Sequence, residues 1–171
     1  MERLARELAL HWALDAAQAE AAGLLHDCAK GMSLSHMHCA ALAGGLCIDK
    51  ATWDSQALLH APVGAYVAER DYALHDAAAL DAIRWHTTGR ARMARLEQVI
   101  YLADMVEPGR KPFPQMQAIC DAMWTDLDQA MCIALDCAAA YVKKREQALY
   151  PVTEEALRWY TALTEKGGAP E

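Results

Sequence analysis

The segment 93–106 constrains the fold most strongly, because the helix that it predicts is apolar on nearly every face. A helix of this kind is buried among other elements. Apolar residues make up 54% of the 171 residues, and abundant Ala, Leu and Met with few β-branched residues are typical of helices. No period-2 alternation of useful strand length appears. The sequence therefore predicts an all-α fold, a single helical bundle.

Capping residues and helix breakers divide the chain into successive helices. Asp15 predicts the N-cap of a helix that runs to Lys30 and stops at Gly31. Pro62 predicts the first turn of a helix that ends near Tyr72. Three further helices are predicted in the first part of the chain: one from residue 1, one from 33 to 44–45 and one from 76 to 87–89. Three more follow: one over 93–106, one from 125–126 to about 150, and one from 153 onward. Pro151 is expected to end the helix that reaches about 150. We expect one domain over 1–165 and a flexible tail at 166–171.

Charge and cysteine content exclude several classes of protein. A net charge of -7 with a pI near 5.5 argues against a surface that coats nucleic acid, so the charge of a bound polyphosphate must be neutralised locally. Six cysteines without any C-x-x-C spacing predict neither structural zinc nor disulfides. With no signal peptide and no membrane-spanning run, we expect a cytoplasmic protein with reduced thiols.

His26 and Asp27 are the clearest candidate for metal binding. An imidazole beside a carboxylate offers two ligands on one piece of backbone, and the apolar turn before them directs the pair inward. A buried carboxylate needs a cation, and Lys30 follows closely. The same dipeptide occurs at His75-Asp76, where the role of Asp76 as N-cap of the following helix explains it without a metal ion. The alternative for residues 26–27 is a histidine at a helix C-terminus beside a surface aspartate.

Asp104 is the second candidate, because it lies within the apolar segment 93–106. A carboxylate in a buried helix should be paired with a cation. That cation is either a metal ion or an arginine such as Arg84 or Arg95, and the residues alone leave both open.

His60 and the segment 86–90 are candidates for phosphate contacts. His60 precedes the predicted helix start at Pro62, where backbone amides and the helix dipole favour an anion, and it could also hold a second metal ion. The segment 86–90 combines a histidine, two hydroxyls, a glycine that permits close approach and an arginine fork. The alternatives are a satisfied core histidine at 60 and a glycine-terminated helix with a surface arginine.

Taken together, these motifs resemble the YqeK family of HD-domain proteins. The matching segments occur in the same order as in that family: HDCAK at 26–30, LHAPVGA at 59–65, IRWHTTGR at 83–90 and IYLADMVEPGR at 100–110. The HAPVGA and HTTGR segments are specific to this family rather than to HD proteins at large. The resemblance extends through 125–127 and the helix with Lys143 and Lys144, so it covers nearly the whole chain.

The resemblance implies an HD-type helical domain, a divalent metal cofactor (iron, with manganese or another transition metal as alternatives) and symmetrical hydrolysis of diadenosine tetraphosphate to two ADP. The partner is then a dinucleoside polyphosphate or ADP, with no nucleic acid and no membrane, and a homodimer is suggested. By position, the metal ligands are His26, Asp27 and Asp104. Catalytic roles fall to Lys30, His60 and His86, and nucleotide contacts to His60, His86, Thr87, Thr88, Gly89, Arg90 and Arg110.

One departure concerns the start of the chain. The family takes a further metal-binding histidine from its initial helix, upstream of the position that matches Met1, so we expect the domain to lack the start of that helix. His11 lies too late in the helix to replace the missing ligand. Two alternatives therefore stay open: another HD-domain nucleotide phosphohydrolase, and a non-catalytic nucleotide-binding helical domain.

Overall fold

The computed structural model describes residues 1–165, in which ten helices and no strand occur. The predicted all-α class is confirmed. The helices are α1 Glu2–His11, α2 Ala16–Leu25, α3 Leu34–Ala43, α4 Lys50–Trp53, α5 Gln56–Tyr72, α6 Ala77–Trp85, α7 Arg95–Met105, α8 Met116–Ala122, α9 Leu127–Lys144 and α10 Pro151–Glu165. None of the helices in this range is both long and apolar enough to cross a membrane. All six cysteines are free thiols, as predicted.

Helix α7 is the buried centre of the larger of two apolar clusters. Every residue from Leu96 to Ala103 is buried, as the pattern of 93–106 predicted. Helices α1, α2, α6 and α9 pack against α7. The smaller cluster joins α3 and α5 around Met37, Leu59 and Val63.

A polar network anchors α7 to its neighbours, since buried polar groups need partners. The side-chain amide of Gln98 donates to the Tyr160 hydroxyl at 2.9 Å and to Asp128 Oδ1 at 2.7 Å. The same hydroxyl accepts the backbone N–H of Met93 at 3.2 Å. Burial raises the pKa of Tyr160 to about 12, so this phenol remains a neutral hydrogen-bonding group at neutral pH.

The helix starts that were predicted from capping residues are confirmed. The side chains of Asp15, Ser33, Asp76 and Asp126 each accept a backbone N–H in the first turn of the helix that follows. Caps of this kind stabilise a helix by about 1 kcal/mol each. The Asp76 carboxylate accepts hydrogen bonds from Ala79 N–H and from the Gln18 side chain, which accounts for it without a metal ion.

The prediction that the second helix runs to Lys30 is wrong, because α2 ends at Leu25. The chain continues in tight turns, in which Cys28 N–H donates to Leu25 O at 3.0 Å and Lys30 N–H donates to Asp27 O at 2.9 Å. The thiol of Cys28 also reaches the backbone of α5. His26 is the C-cap of α2, still with helical backbone, and Asp27 follows it in these turns.

The prediction that Pro62 stands in a first helical turn is also wrong. Helix α5 begins at Gln56 after Ser55, and Pro62 lies inside it. His60 is consequently in the second turn of α5, C-terminal to the backbone amides of the first turn. The expectation that a helix N-terminus at Pro62 binds an anion beside His60 therefore fails.

Two other boundaries differ at the C-terminal end. Helix α9 stops at Lys144 rather than near 150, and Glu146 follows in the left-handed region with φ 56°. Pro151 is the first residue of α10, where its fixed φ suits a helix start. The short helices α4 and α8 were not predicted. The expected tail at 166–171 lies outside the described residues, and the single domain over 1–165 stays a prediction.

Candidate metal centre

Five of the predicted site residues meet where four helical elements converge. The turn after α2, the second turn of α5, the C-terminal end of α6 and the last turn of α7 each contribute. In chain order these residues are His26, Asp27, His60, His86 and Asp104. Sequence separations of up to 78 residues are thus closed by helix packing alone.

Asp27 lies between two groups of donor atoms. On one side, His26 Nε2 is 3.4 Å from Asp27 Oδ2 and 3.6 Å from Asp104 Oδ1. On the other side, Asp27 Oδ1 is 3.3 Å from His60 Nε2 and 3.5 Å from His86 Nε2. The Nε2 atoms of His60 and His86 are 3.2 Å apart. Each carboxylate oxygen of Asp27 therefore faces a different set of imidazoles.

The backbone sets the tautomers of two of these histidines. His26 Nδ1 lies 2.8 Å from Gly23 O, and His86 Nδ1 lies 2.7 Å from Ile83 O. A carbonyl oxygen only accepts hydrogen bonds, so Nδ1 carries the proton in both rings. In the neutral ring, the Nε2 lone pair then points into the cluster, as it does in histidines that bind metals.

Two buried atoms of the cluster lack a hydrogen-bond partner, namely His26 Nε2 and Asp27 Oδ1. Leaving such an atom unsatisfied costs about 1–3 kcal/mol. Ligand atoms of His26, Asp27 and His86 all lie within 4.8 Å of one another. Imidazole and carboxylate together are a donor set that suits a divalent transition metal. The residues present therefore fit a metal ion.

Both carboxylates of the cluster are held in the ionised form. Burial by itself would raise the pKa of Asp27, but the adjacent imidazoles of His26 and His60 outweigh it and hold that pKa far below its usual range. Burial likewise opposes the charge of Asp104, yet His26 and Arg110 keep the pKa of this carboxyl below its ordinary value. The cluster thus presents two negative charges to a cation.

The histidines respond in opposite directions. Burial disfavours the charged form of His26, but Asp104 and Asp27 overcome it and raise its pKa to about 9. Burial of His86 dominates over the attraction of Asp27 and lowers its pKa, so that ring is neutral at pH 7. A cation, either a proton or a metal ion, is therefore favoured between His26 and the two aspartates.

Two cations stand at the solvent side of the cluster. Lys30 Nζ lies 2.6 Å from Asp27 Oδ2. Arg110 Nη2 lies 3.0 Å from both carboxylate oxygens of Asp104, and Arg110 Nε donates to the backbone oxygen of the same residue at 3.1 Å. Both predicted residues therefore reach the site through its carboxylates.

The arginine partners that the sequence suggested for Asp104 bind elsewhere. Arg84 donates to Asp81 at 2.7 Å, and Arg95 lies 3.1 Å from Asp128. The ion-pair alternative for Asp104 is thus realised with Arg110, while Asp104 also lies beside His26 in the candidate site.

Only the first part of the predicted phosphate-binding segment reaches the cluster. Thr87 Oγ1 lies 3.1 Å from His86 Nε2 and 3.3 Å from His60 Nε2. Thr88 is buried, and its hydroxyl donates to Gly89 O at 3.0 Å. Gly89 adopts φ +62° and packs against α9. Residues 88 and 89 therefore shape the turn, and their predicted contact with nucleotide stays a prediction.

Two residues that contact this turn were not singled out from the sequence. Thr153 Oγ1 donates to Thr88 O at 2.9 Å. Glu97 binds Arg90 with both carboxylate oxygens, at 2.6 and 2.8 Å. Glu97 could have been identified from the sequence, because it is a charged residue inside the apolar segment 93–106.

A cavity of about 400 Å³ between α5, α6 and the segment 45–52 is separate from the cluster. Leu58 and Pro62 line it, and each is two residues from His60 in α5. Two residues correspond to about 200° of helical rotation, so the cavity borders the face of α5 opposite to His60. It does not form part of the metal centre.

The architecture is that of an HD-domain hydrolase. The HD domain family model matches residues 1–109. A crystal structure of a predicted HD superfamily hydrolase from Clostridium acetobutylicum, described as involved in NAD metabolism, superimposes with a TM-score of 0.89 at 31% identity. The superposition covers 94% of this chain and 85% of that one.

Curated relatives narrow the class. The chain is 36% identical over 153 residues to the symmetrical bis(5'-nucleosyl)-tetraphosphatase of Bacillus subtilis (strain 168). This alignment covers 90% of this chain and 81% of the relative. It is also 36% identical over 147 residues to the protein of the same name from Halalkalibacterium halodurans, covering 86% and 78%. The chain therefore belongs to the HD-domain family and, within it, to the family of symmetrical bis(5'-nucleosyl)-tetraphosphatases, as the YqeK resemblance predicted.

Proposed function

We propose that this protein hydrolyses diadenosine tetraphosphate symmetrically to two ADP, with a divalent metal ion held by His26, Asp27 and Asp104. The observation that carries the proposal is the pair of buried atoms without a partner, His26 Nε2 and Asp27 Oδ1, in a cluster with two ionised carboxylates. The names of the relatives that match most of the chain support the same reaction.

The metal is proposed to be iron, as the family resemblance implies; imidazole and carboxylate ligands together suit a transition metal such as iron, manganese or zinc better than magnesium or calcium. An ion at this position would supply Lewis acidity to a phosphoryl oxygen and an activated water. His26 contributes Nε2, whose direction is set by the hydrogen bond of Nδ1 to Gly23 O. Asp27 and Asp104 contribute charge, which Lys30 and Arg110 balance at the solvent side.

Symmetrical cleavage adds one water across the central P–O–P link. The hydroxyl group of the water bonds to one inner phosphorus, the bond to the bridging oxygen breaks, and the leaving ADP takes up a proton. We assign this proton to His60 rather than His86, because burial lowers the pKa of His86 and keeps that ring neutral. Lys30 and Arg110 are the cations placed to offset charge that develops on the phosphoryl oxygens.

A second arrangement is favoured by the distances among His60, His86 and Asp27. Their donor atoms are 3.2, 3.3 and 3.5 Å apart. Separations of this size suit side chains that bind one metal ion. These three residues would hold a second ion. The metal content of the purified protein decides: one ion per chain leaves His60 as the proton donor, and two ions make it a ligand.

The function is tested by anaerobic incubation with ferrous iron and diadenosine tetraphosphate, followed by chromatography of the products. ADP as the sole product supports the proposal, whereas ATP with AMP contradicts it. A panel of other nucleotides tests for a different HD-type phosphohydrolase. Thermal stabilisation by ADP without turnover would favour the non-catalytic nucleotide-binding alternative. The cytoplasmic location and the homodimer stay predictions.

A further inference from the structure

The turn that carries His86 and Thr87 into the metal centre has no regular structure of its own. Residues 86–94 join α6 to α7, and two of them, Gly89 and Arg92, adopt left-handed backbone with φ 62° and 57°. Such a segment keeps one position only when surrounding residues hold it. The contacts that hold it therefore decide where His86 and Thr87 lie.

The strongest of these contacts is the ion pair between Arg90 and Glu97. Arg90 Nε donates to Glu97 Oε2 at 2.8 Å, and Arg90 Nη2 donates to Glu97 Oε1 at 2.6 Å. This parallel two-bond arrangement is the most directional of the common ion pairs. The Glu97 side chain is 3% exposed, and the Arg90 side chain is 36% exposed. The turn is thus held by the buried carboxylate of Glu97 in α7.

Arg90 also contacts the other side of the turn. Its guanidinium carbon lies 5.6 Å from the ring centroid of Trp85, the residue before His86. Arg90 therefore connects the C-terminal end of α6 to α7. Glu97 and Asp104 are seven residues apart in α7, which is about two turns, so they lie on the same side of that helix. One helix thereby supports Asp104 directly and the His86 turn through Arg90.

We propose that Glu97, acting through Arg90, is a positioning residue that fixes His86 and Thr87 relative to Asp27 and Asp104. This inference rests on the proposed function. It assigns Arg90 to the turn instead of to the phosphates of the nucleotide. A shift of Arg90 to a phosphate would leave the Glu97 carboxylate buried without a partner, which is strongly unfavourable.

Four variants of the metal-loaded enzyme test the assignment. Arg90→Met removes the charge and the fork, Glu97→Gln keeps the shape of the anchor, and the double variant Arg90→Met with Glu97→Met replaces the buried pair by apolar groups. The double variant leaves no buried charge, so its folding does not depend on the pair. Arg84→Met is the matched control, because Arg84 pairs with Asp81 on the exposed side of α6.

Displacement of reacting groups lowers kcat, and a loss of the order of tenfold or more is expected for Arg90→Met and Glu97→Gln, with KM within about twofold. The double variant is expected to lose no more than Arg90→Met, because residues that act as one unit are not additive. Arg84→Met is expected to keep the kcat of the wild type. A tenfold rise in KM at unchanged kcat in Arg90→Met would instead make Arg90 a phosphate ligand and overturn the proposal, as would a wild-type kcat in Glu97→Gln.

A separate measurement distinguishes this proposal from the proposed function. If the wild-type protein does not turn over diadenosine tetraphosphate, the function is wrong, and the position of His86 is then read from the NMR resonances of its imidazole ring. Glu97→Gln is expected to shift these resonances while Arg84→Met leaves them in place. Unchanged His86 resonances in Glu97→Gln would overturn the positioning role.

Discussion

Replacing Gly89 by alanine is expected to damage the metal centre more than the fold. Gly89 has φ +62°, and a Cβ atom placed on it would lie 3.3 Å from Leu135 Cδ2. This contact is tight enough that either the leucine or the turn has to move by a few tenths of an ångström. His86 and Thr87 lie three and two residues before Gly89 in the same turn, so a shift of the turn moves both of them.

The cost to stability follows from two opposing terms. The left-handed region costs a residue with a Cβ atom about 1–2 kcal/mol. Loss of glycine from the unfolded chain returns about 0.4–1 kcal/mol, because alanine has fewer conformations there. We therefore expect the free energy of unfolding to fall by about 1 kcal/mol. We expect kcat/KM to fall by about tenfold or more, since misplacing a reacting group by 1 Å costs about 100-fold.

Gly45→Ala is the matched control for this prediction. Gly45 has φ +59°, and a Cβ atom there would meet nothing within 4 Å. It follows α3, away from the metal centre. Urea unfolding should show a loss of stability in Gly89→Ala at least as large as in Gly45→Ala, because only the former adds the contact with Leu135. In contrast, kcat/KM should fall only in Gly89→Ala. A Gly89→Ala enzyme with wild-type kcat/KM and the same loss of stability as the control would refute the role of this turn.

Three other substitutions test separate parts of the structure. Asp104→Asn keeps the shape but removes the charge, so the metal content measured by elemental analysis should fall together with hydrolysis; full metal content would contradict the ligand assignment. Tyr160→Phe removes the acceptor of the Gln98 amide and should lower the free energy of unfolding by about 2 kcal/mol. In the folded wild type the pKa of Tyr160 is about 12, so the unfolded chain loses its phenol proton first as pH rises. The free energy of unfolding should therefore decline by roughly 2–3 kcal/mol between pH 10 and 12. This decline with pH should be shallower in Tyr160→Phe. If the free energy of unfolding from urea titrations falls equally steeply with pH in both proteins, Tyr160 is not its cause. Thr153→Val leaves Thr88 O without its donor, and a loss of about 1–2 kcal/mol is expected in the same assay; an unchanged value would show that this contact does not hold the turn.

Helix starts marked by an Asp or Ser cap were predictable because their determinants are local, whereas the start of α5 and the end of α2 were not. Asp15 and Asp76 cap amides two or three residues away, within one sequence window. The turns that follow the end of α2 at Leu25 bring Cys28 to Gly64 O of α5, a contact between distant segments that no sequence window contains. Pro62 is tolerated inside α5 because the side of this helix that carries it and Leu58 borders the 400 Å³ cavity rather than the core. The missing hydrogen bond at Leu58 O is therefore not buried among apolar groups.

The candidate ligands were predictable from their apolar surroundings, but their mutual geometry was not. His26, Asp27 and Asp104 each stood out as polar residues in apolar context, and the structure brings them together. The partner of Arg90 could not be inferred, because an arginine after a helix end is usually solvated unless the facing helix is known. Which helix faces the turn is a property of the packed bundle, and it is this packing that places Glu97 there.

The hydrogen bonds of the two Nδ1 atoms to Gly23 O and Ile83 O orient these rings through acceptors that no side-chain substitution removes. Each acceptor is a main-chain oxygen, which every amino acid possesses. A point substitution at 23 or 83 cannot delete it, but a Cβ atom at 23 would lie 3.0 Å from Glu2 Cα and would displace it by moving the backbone. Where a neighbouring carboxylate orients a metal-binding imidazole, one nucleotide change in a gene can abolish the support. In this protein, sequence drift around His26 and His86 is expected to leave the proton positions of both rings unchanged for as long as α2 and α6 end where they do.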